Sequence, residues 1–319
     1  MARSGSADFS LTRDGIIRGA IRIVKGLGGK PISGAKTGQS EFNETAEALN
    51  MILKEWQGLG VGLWLNREIS MPFAYRDGKY SLGTSGDHAS ETLYVTEVTT
   101  AQDSGESTLV LDSTSGAVDG DAIGIELDDG TMQWTTINGT PASLTVTLTA
   151  ALTDDVAVDN EVMFYTTMSG RPLSITEARL VSDAGSETPL YICNRQEWMN
   201  ISDKNTNGPP SHIYYDHQLD SGILNIWPRP NDVSSYLKFT ARVPIQDFDA
   251  SANDPDFPQE VYRAAKWCTA DEIMLEYQFE GDTALQKLLI VSHRAEKYFN
   301  RMVEFDTEYG SITFEADND

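Results

Sequence analysis

Residues 80–165 contain fifteen aspartates and glutamates and not one lysine or arginine. The rest of the chain differs, because residues 1–79 carry a net charge of +3 and residues 166–319 carry −12, within a total of −24. A segment of this length with its own charge pattern predicts a separate module. Because phosphate binding needs lysine and arginine, so acidic a chain is not expected to wrap nucleic acid for affinity. It is expected to be soluble and to meet partners with basic surfaces.

The acidic segment has the pattern of short β-strands. Its apolar runs are rich in β-branched residues and bounded by Gly, Asp or Ser. The first run begins at Leu93, and the others occupy residues 109–111, 122–127, 132–137, 144–148 and 162–165. Asp129-Gly130 predicts a hairpin turn between two of them. Six strands at this spacing predict a small barrel or sandwich inserted at residues 86–165.

The N-terminal segment has the pattern of two amphipathic helices. Apolar residues recur at helical spacing in both predicted helices: Ile17, Ala20, Ile21 and Val24 in the first, and Phe42, Ala46, Leu49, Leu53 and Trp56 in the second. Thr12 is the expected N-cap of the first helix, and the second is expected to begin near Ser40. The pair predicts a helical hairpin. A strand over residues 69–75 and an Asp77-Gly78 hairpin turn are expected to follow.

The C-terminal half predicts strands followed by two helices. Residues 189–198, 212–215, 222–227 and 236–243 carry strand signals, and the second and third of these runs predict a hairpin. Helices are predicted over residues 259–279 and 282–303. The resulting fold class is α+β: a helical bundle from the N-terminal hairpin and C-terminal helices, β-hairpin elements, and an inserted all-β module. The predicted domains are residues 1–85, 86–165, 166–304, and an extended acidic tail at 305–319.

The sequence offers no catalytic or cofactor pattern. His88, His212, His217 and His293 lack the spacing of zinc ligands, and Pro31 follows Lys30 where a phosphate loop needs Ser or Thr. The acids at residues 119–121 and 128–130 are expected to be solvated turns, because Ile123 occupies the fifth position of a would-be calcium loop. We therefore expect no enzyme activity, no cofactor and no metal. Carbohydrate binding by the β-module is an alternative.

Two further patterns concern where the protein folds and what it meets. Two cysteines, Cys193 and Cys268, do not make a disulfide framework, and no apolar run reaches membrane-spanning length. We expect folding in the host cytoplasm and no membrane contact. Arg18, Arg22 and Lys25 share one face of the first helix. This face is either solvated or a surface that meets an acidic partner or passing DNA.

Both ends of the chain resemble head-to-tail adaptor proteins of short-tailed bacteriophages, the tail tubular protein A and head-completion group. At the N-terminus the resemblance rests on RDGIIRGA at residues 13–20, EALN at 47–50 and LKEWQGLG at 53–60. Near the C-terminal helices it rests on VP at residues 243–244, DF at 247–248, FP at 257–258, VY at 261–262 and AA at 264–265. The acidic β-module departs from the compact members of this family.

The resemblance implies a structural virion protein located at the head–tail interface. Such adaptors form a ring, usually of twelve copies, between the portal protein and the tail nozzle protein, in some cases also carrying tail fibres. DNA passes through the ring without specific binding. The tail would reach into the portal, with Tyr309, Ile312 and Phe314 as anchoring residues. The alternative is a fibre-bearing or nozzle protein whose β-module binds a receptor or glycan.

Overall fold

A computed structural model describes residues 9–31, 38–248, 250, 253–281 and 283–306. The fold is α+β, and the chain divides into two compact units. The helical unit comprises Met1–Leu65 and Ile245–Asp319, and the β unit comprises Asn66–Pro244. The β unit therefore interrupts the helical unit in sequence. The predicted boundary at residue 85 does not coincide with this division, whereas residues 86–165 lie wholly within the β unit.

The described residues form five helices: α1 (Arg13–Gly26), α2 (Gly38–Gly58), α3 (Arg195–Asn200), α4 (Tyr262–Met274) and α5 (Ala284–Phe305). Among these helices, none is long and apolar enough to cross a membrane. The described residues also form sixteen strands: β1 (Lys30–Pro31), β2 (Asn66–Pro72), β3 (Lys79–Leu82), β4 (Tyr94–Thr100), β5 (Thr108–Leu111), β6 (Ala122–Glu126), β7 (Met132–Thr136), β8 (Thr145–Thr147), β9 (Glu161–Tyr165), β10 (Ser174–Val181), β11 (Glu187–Pro189), β12 (Tyr191–Ile192), β13 (His212–His217), β14 (Gly222–Trp227), β15 (Tyr236–Arg242) and β16 (Tyr277–Gln278).

Helix α1 begins where the sequence predicts. The side-chain oxygen of Thr12 accepts a hydrogen bond from the backbone N–H of Gly15 (3.4 Å), which satisfies a donor that the helix itself leaves free. Asp14 lies in the first turn, where the helix dipole favours a carboxylate. After the helix, Gly28 adopts a positive φ of 84°, which glycine tolerates without strain. The predicted helix and its N-cap are confirmed.

The core of the helical unit joins the N-terminal and C-terminal helices. Leu49, Leu53 and Trp56 of α2 pack with buried residues of α4 and with Met302 of α5. Helix α1 lies close to α4, since a Cβ on Gly19 would stand 2.7 Å from the side chain of Lys266. Both predicted N-terminal helices therefore share a core with α4, and their apolar stripes do not pack on each other alone.

The β unit contains two four-stranded sheets around one core. Their strand orders are β11-β10-β15-β2 and β12-β13-β14-β3. The core includes Ile69 and Phe239 from the first sheet and Leu82 and Leu224 from the second. Strands β2 and β15 pair along their whole length, so the first residue of the β unit, Asn66, lies opposite Arg242 near its end.

The hairpin predicted at Asp77-Gly78 is wrong. The strands on either side of this turn lie in different sheets, because β2 pairs with β15 whereas β3 pairs with β14. Phe73 and Tyr80, which flank the turn, are both buried in the core that these sheets share. The chain thus crosses from one sheet to the other here, and the residue with positive φ is Arg76 (59°).

The acidic segment forms a six-stranded antiparallel sheet with the order β7-β6-β9-β4-β5-β8. All six predicted strands are present. The predicted Asp129-Gly130 hairpin joins β6 to β7, with Gly130 at a positive φ of 79°. The sheet curls around its own core, which includes Val98, Ile123 and Phe164. An isolated bridge between Ile137 and Leu148 links the regions beyond the two edge strands.

Two elements of the β unit differ from expectation. Helix α3 occupies residues predicted as a strand, and it is held by a capping box in which the Asn194 side chain and Glu197 satisfy each other's backbone N–H groups. Strand β10 was not predicted at all. Its burial pattern is irregular, since the consecutive residues Thr176 and Glu177 are both exposed, so the alternation typical of a strand is weak.

Substituting Gly222 by alanine should destabilise the β unit by about 1–3 kcal/mol, the usual cost of overpacking. A Cβ at this position would lie 1.9 Å from the hydroxyl oxygen of Tyr215. That buried hydroxyl donates to the carbonyl of Pro172 (2.5 Å), so the ring cannot move without losing the bond. Urea unfolding measures the loss. Gly170→Ala is the matched control because its Cβ would meet nothing within 4 Å; equal midpoints for the two variants would contradict the prediction.

Candidate functional site

The helical unit carries five basic side chains around two aromatic rings. We call this group the cation face; its members are Arg22 of α1, Arg263 and Lys266 of α4, and Arg294 and Arg301 of α5. The rings are Trp267 and Tyr298, with centroids 5.9 Å apart. Three helices that are distant in sequence therefore contribute to one charged surface.

The arginines of α4 and α5 lie against these rings. The guanidinium carbon of Arg263 is 4.6 Å from the centre of the Tyr298 ring, and that of Arg301 is 6.0 Å from it. The guanidinium carbon of Arg294 lies 5.1 Å from the Trp267 ring. Cation–π contacts of this kind orient the arginines while leaving their N–H donors available.

The charges of the cation face are not balanced within the described part of the chain. None of its five members forms an ion pair with a described carboxylate, whereas Arg13, Lys25 and Lys30 in the same unit each do. Burial lowers the pKa of Lys266, and the neighbouring charges of Arg22 and Arg263 lower it further. Since the chain has 48 acidic and 24 basic residues, a group of five cations without an ion pair to a described carboxylate is a specific feature of this surface.

Of the three basic residues predicted on α1, only Arg22 belongs to the cation face. Arg18 is 75% exposed and lies 3.8 Å from Asp14. Lys25 binds Glu41 of α2 at 2.6 Å, and Glu41 in turn accepts a hydrogen bond from the hydroxyl of Tyr277. Lys25 therefore contributes to packing between α1 and α2. The predicted tail residues Tyr309, Ile312 and Phe314 lie outside the described residues.

The helical unit also has an apolar groove between α2, α4 and α5. The groove has a volume of about 590 Å³ and is lined by Trp56, Leu59, Leu289 and Phe299 among others. Two of these residues are largely uncovered, since Leu59 is 63% and Leu289 60% exposed. Cys268 lies in the wall, where burial raises the pKa of its thiol to about 12. This cysteine is thus not an activated nucleophile.

The β unit contains a second charged group, which we call the carboxylate cluster: Glu97 of β4, Glu161 of β9, and Asp183 in the turn between β10 and β11. One oxygen from each carboxylate lies within 4.8 Å of the others. Glu97 and Glu161 are directly opposite each other in the β4–β9 pair. The sequence analysis did not identify this cluster, because it depends on strand pairing and on a turn from another sheet.

Glu161 is the buried member of the carboxylate cluster. It is only 3% exposed, and its Oε2 has no hydrogen-bond donor among the described residues. Burial raises the pKa of Glu161 to about 8, and the nearby carboxylates of Asp183, Glu97 and Glu126 act in the same direction. When Glu161 is protonated, it shares its proton with Asp183; when both are ionised, no donor remains between them.

The histidines do not form a catalytic group with other described residues. His88 stacks on Trp134 with ring centroids 3.5 Å apart, and its Nδ1 lies 2.7 Å from the hydroxyl oxygen of Tyr165. Burial lowers the pKa of His88, which favours the neutral ring. His212 and His217 lie on β13, where His217 packs edge-on against Tyr215. The rings of His88, His212 and His217 each have an aromatic packing partner, whereas His293 lies in the wall of the apolar groove.

The chain was also compared with known proteins. No protein-family model matches it. No curated protein is significantly similar to it.

Proposed function

We propose that this chain is a structural virion protein, a subunit of the adaptor ring between the portal and the tail nozzle of a short-tailed bacteriophage. The observation that carries the proposal is the composition of the helical unit. The segments that resemble adaptors are separated by the whole β unit in sequence, yet their apolar residues share one core, in which Leu53 and Trp56 pack with Val261 and Ala265. A common core is what a conserved adaptor framework with an insertion requires.

The proposed architecture is a helical bundle with β-hairpin elements and an inserted all-β module. The bundle forms the ring wall, and the curled six-stranded sheet belongs to the inserted module. We place this module on the outer rim, where fibres or nozzle loops attach. Its acidic surface favours a basic partner there.

Side-by-side contact between copies is supported by the apolar groove. Leu59 and Leu289 are exposed at the groove, and Leu285 (67%) and Ile290 (49%) are also exposed on α5. Exposed apolar side chains of this kind are typical of a protein interface. In a closed ring each contact is heterologous, so the groove of one copy receives a different surface of its neighbour. We propose a ring of twelve copies, matching the portal.

The cation face is proposed to meet an acidic protein surface. Its five cations have no described carboxylate partners, and every copy of the chain carries a net charge of −24. A neighbouring copy therefore offers the complementary charge, and the alternative partner is DNA in the channel. The proposed protein is not an enzyme, in keeping with a Cys268 thiol that burial keeps protonated.

Electron microscopy of the protein mixed with the purified portal ring of the same virus tests the function. The expected result is an additional ring of density beneath the portal that follows its symmetry. A folded protein that adds no density would overturn the adaptor proposal, and density only at the distal end of assembled tails would favour the fibre or nozzle alternative.

Deleting residues 307–319 should abolish docking to portal-containing heads while leaving the described helices intact. The deleted segment carries Tyr309, Ile312 and Phe314 among acidic residues, a pattern typical of a segment that orders on a partner. Co-sedimentation with tail-less heads measures docking, and circular dichroism checks the fold. Replacing only those three residues by serine should have the same effect. Normal docking by the truncated protein would rule out the anchoring role of the tail.

A further inference from the structure

We propose that the carboxylate cluster of the β unit, formed by Glu97, Glu161 and Asp183, is a calcium-binding site. The inference does not depend on the proposed function. It rests on three observations made on the described part of the chain: the convergence of three carboxylates, the buried oxygen of Glu161 without a donor, and the lack of an ion pair between these carboxylates and a described lysine or arginine.

The first observation is that the fold brings like charges together. Strand pairing places Glu97 directly opposite Glu161, an arrangement that destabilises a sheet when both residues are ionised. The turn between β10 and β11 then adds Asp183, so that oxygens of all three lie within 4.8 Å. Three separate elements of the β unit thus converge on one point, which costs free energy unless a cation lies between them.

The second observation is the state of Glu161. Its neighbours on β9 point alternately to both sides, and every residue of this strand is buried. The Oε2 atom of Glu161 is enclosed and lacks a donor among the described residues. A buried carboxylate needs a hydrogen bond, a counter-charge or a metal ion. The free oxygen belongs to the same carboxylate that contributes an oxygen to the cluster with Glu97 and Asp183.

The third observation is that no lysine or arginine among the described residues forms an ion pair with the cluster. Residues 80–165, which contain Glu97 and Glu161, have no lysine or arginine. On the neighbouring sheet, Lys238 binds Glu68 at 3.2 Å and Glu187 at 3.5 Å. Arg179 binds the same two carboxylates. Both cations are therefore paired elsewhere, so either a proton on Glu161 or a bound cation must balance the cluster, and we propose the cation.

The type of ligand atom in the cluster determines which ion it favours. Carboxylate oxygens without nitrogen or sulfur donors favour hard divalent cations such as calcium and magnesium. Magnesium retains several water ligands and is usually held by only one or two carboxylates, whereas calcium accepts more oxygen ligands in a flexible geometry. Three carboxylates that converge from three separate elements therefore favour calcium. Water molecules would complete the coordination.

Calcium at this point would fasten the six-stranded sheet to the rest of the β unit. Glu97 and Glu161 belong to the six-stranded sheet, whereas Asp183 belongs to a turn of the four-stranded sheet. Binding would bridge the two sheets and stabilise the position of the acidic module within the β unit.

Isothermal titration of the EDTA-treated full-length protein with calcium chloride tests the proposal. We expect one site per chain, with a dissociation constant on the order of 10⁻⁵ to 10⁻⁴ M, and a rise in the thermal midpoint of several degrees. Glu161→Gln and Asp183→Asn should each weaken binding at least tenfold. Glu91→Gln is the matched control, since it removes an exposed carboxylate of the same acidic segment.

Two outcomes would overturn the proposal. If calcium produces neither heat nor a thermal shift, a proton shared between Glu161 and Asp183 is all that balances the cluster. If all variants respond to calcium as strongly as the unmodified protein, the ion is screening the net charge of −24 and not occupying a site. Magnesium at the same concentration should give the smaller response, because it loses its water ligands reluctantly.

Discussion

Replacing Glu161 by glutamine is expected to stabilise the calcium-free protein at pH 8 and to have little effect at pH 5. Moving the pKa of this carboxyl from 4.5 to about 8 corresponds to an ionisation cost on the order of 5 kcal/mol in the folded state. Glutamine removes that cost, and its amide still offers a donor to Asp183. At pH 5 the folded protein holds Glu161 protonated, so the substitution should change the free energy of unfolding by less than about 1 kcal/mol.

The direction of this pH dependence follows from the difference in proton binding between the folded and unfolded states. Between pH 4.5 and 8 the folded state holds a proton on Glu161 that the unfolded state releases, so the stability of the unmodified protein should fall as pH rises through this window. Asp183, Glu97 and Glu126 face Glu161 from three other elements and strengthen the effect, because all of them are acidic. Above pH 8 this contribution should no longer change.

Urea unfolding of both proteins in EDTA, from pH 5 to pH 9, measures this difference. Glu91→Gln should leave the pH dependence of the unmodified protein unchanged. If the free energy of unfolding depends on pH in the same way for Glu161→Gln and the unmodified protein, Glu161 ionises normally in the folded state. In millimolar calcium the order should reverse, with the unmodified protein the more stable at pH 8.

Reversing two charges of the cation face, Arg263→Glu with Arg301→Glu, should weaken association of the protein with the proposed acidic partner at least tenfold. Both arginines lie against the Tyr298 ring with no ion pair to a described carboxylate, so reversal places two repulsive charges at the centre of the face. Like charges that face each other across an interface lower the association rate and change its salt dependence. The helices should remain folded, since both side chains are exposed.

Analytical ultracentrifugation of the protein alone and with portal rings, at several salt concentrations, measures this effect. The association of the unmodified protein should weaken as salt increases, and the double variant should lose that dependence. Arg67→Glu with Arg195→Glu is the matched control, because it makes the same charge change at exposed positions of the β unit. Unchanged assembly by the double variant, together with salt-sensitive DNA binding by the unmodified protein, would identify DNA as the partner instead.

Local sequence patterns were sufficient for most elements of this fold. The 4,3,4,3 spacing of the stripe that includes Leu49 and Trp56 depends only on helical geometry, and the runs of the acidic segment depend only on neighbouring residues. The pairing of strands was harder to predict from the sequence. The turn at Asp77-Gly78 has hairpin residues, but burial of Phe73 and Tyr80 between two sheets determines that the adjoining strands separate.

The charged sites were less predictable than the elements that carry them. Arg22 was identified because it is one turn from Arg18 on α1. Its neighbours Arg263 and Arg301 join it only through the packing of α4 and α5, although the spacing of 294, 298 and 301 does place an aromatic residue between two arginines on one helical face. The sequence gives no sign that Glu161 is buried. It stands at the start of an apolar strand, where a polar residue is ordinarily exposed.

The register of β2 against β15 has a consequence for how the chain folds. Asn66 and Arg242 are paired residues, so the two points where the chain leaves the β unit are held about 5 Å apart once that sheet has formed. The early helices α1 and α2 must find α4 and α5 across the whole intervening sequence, a search whose entropy cost grows with loop length. A β unit that folds first reduces this search to that of a short connection. Mutations that slow closure of the β2–β15 pair should therefore delay the appearance of native helical packing, even though they lie in the other unit.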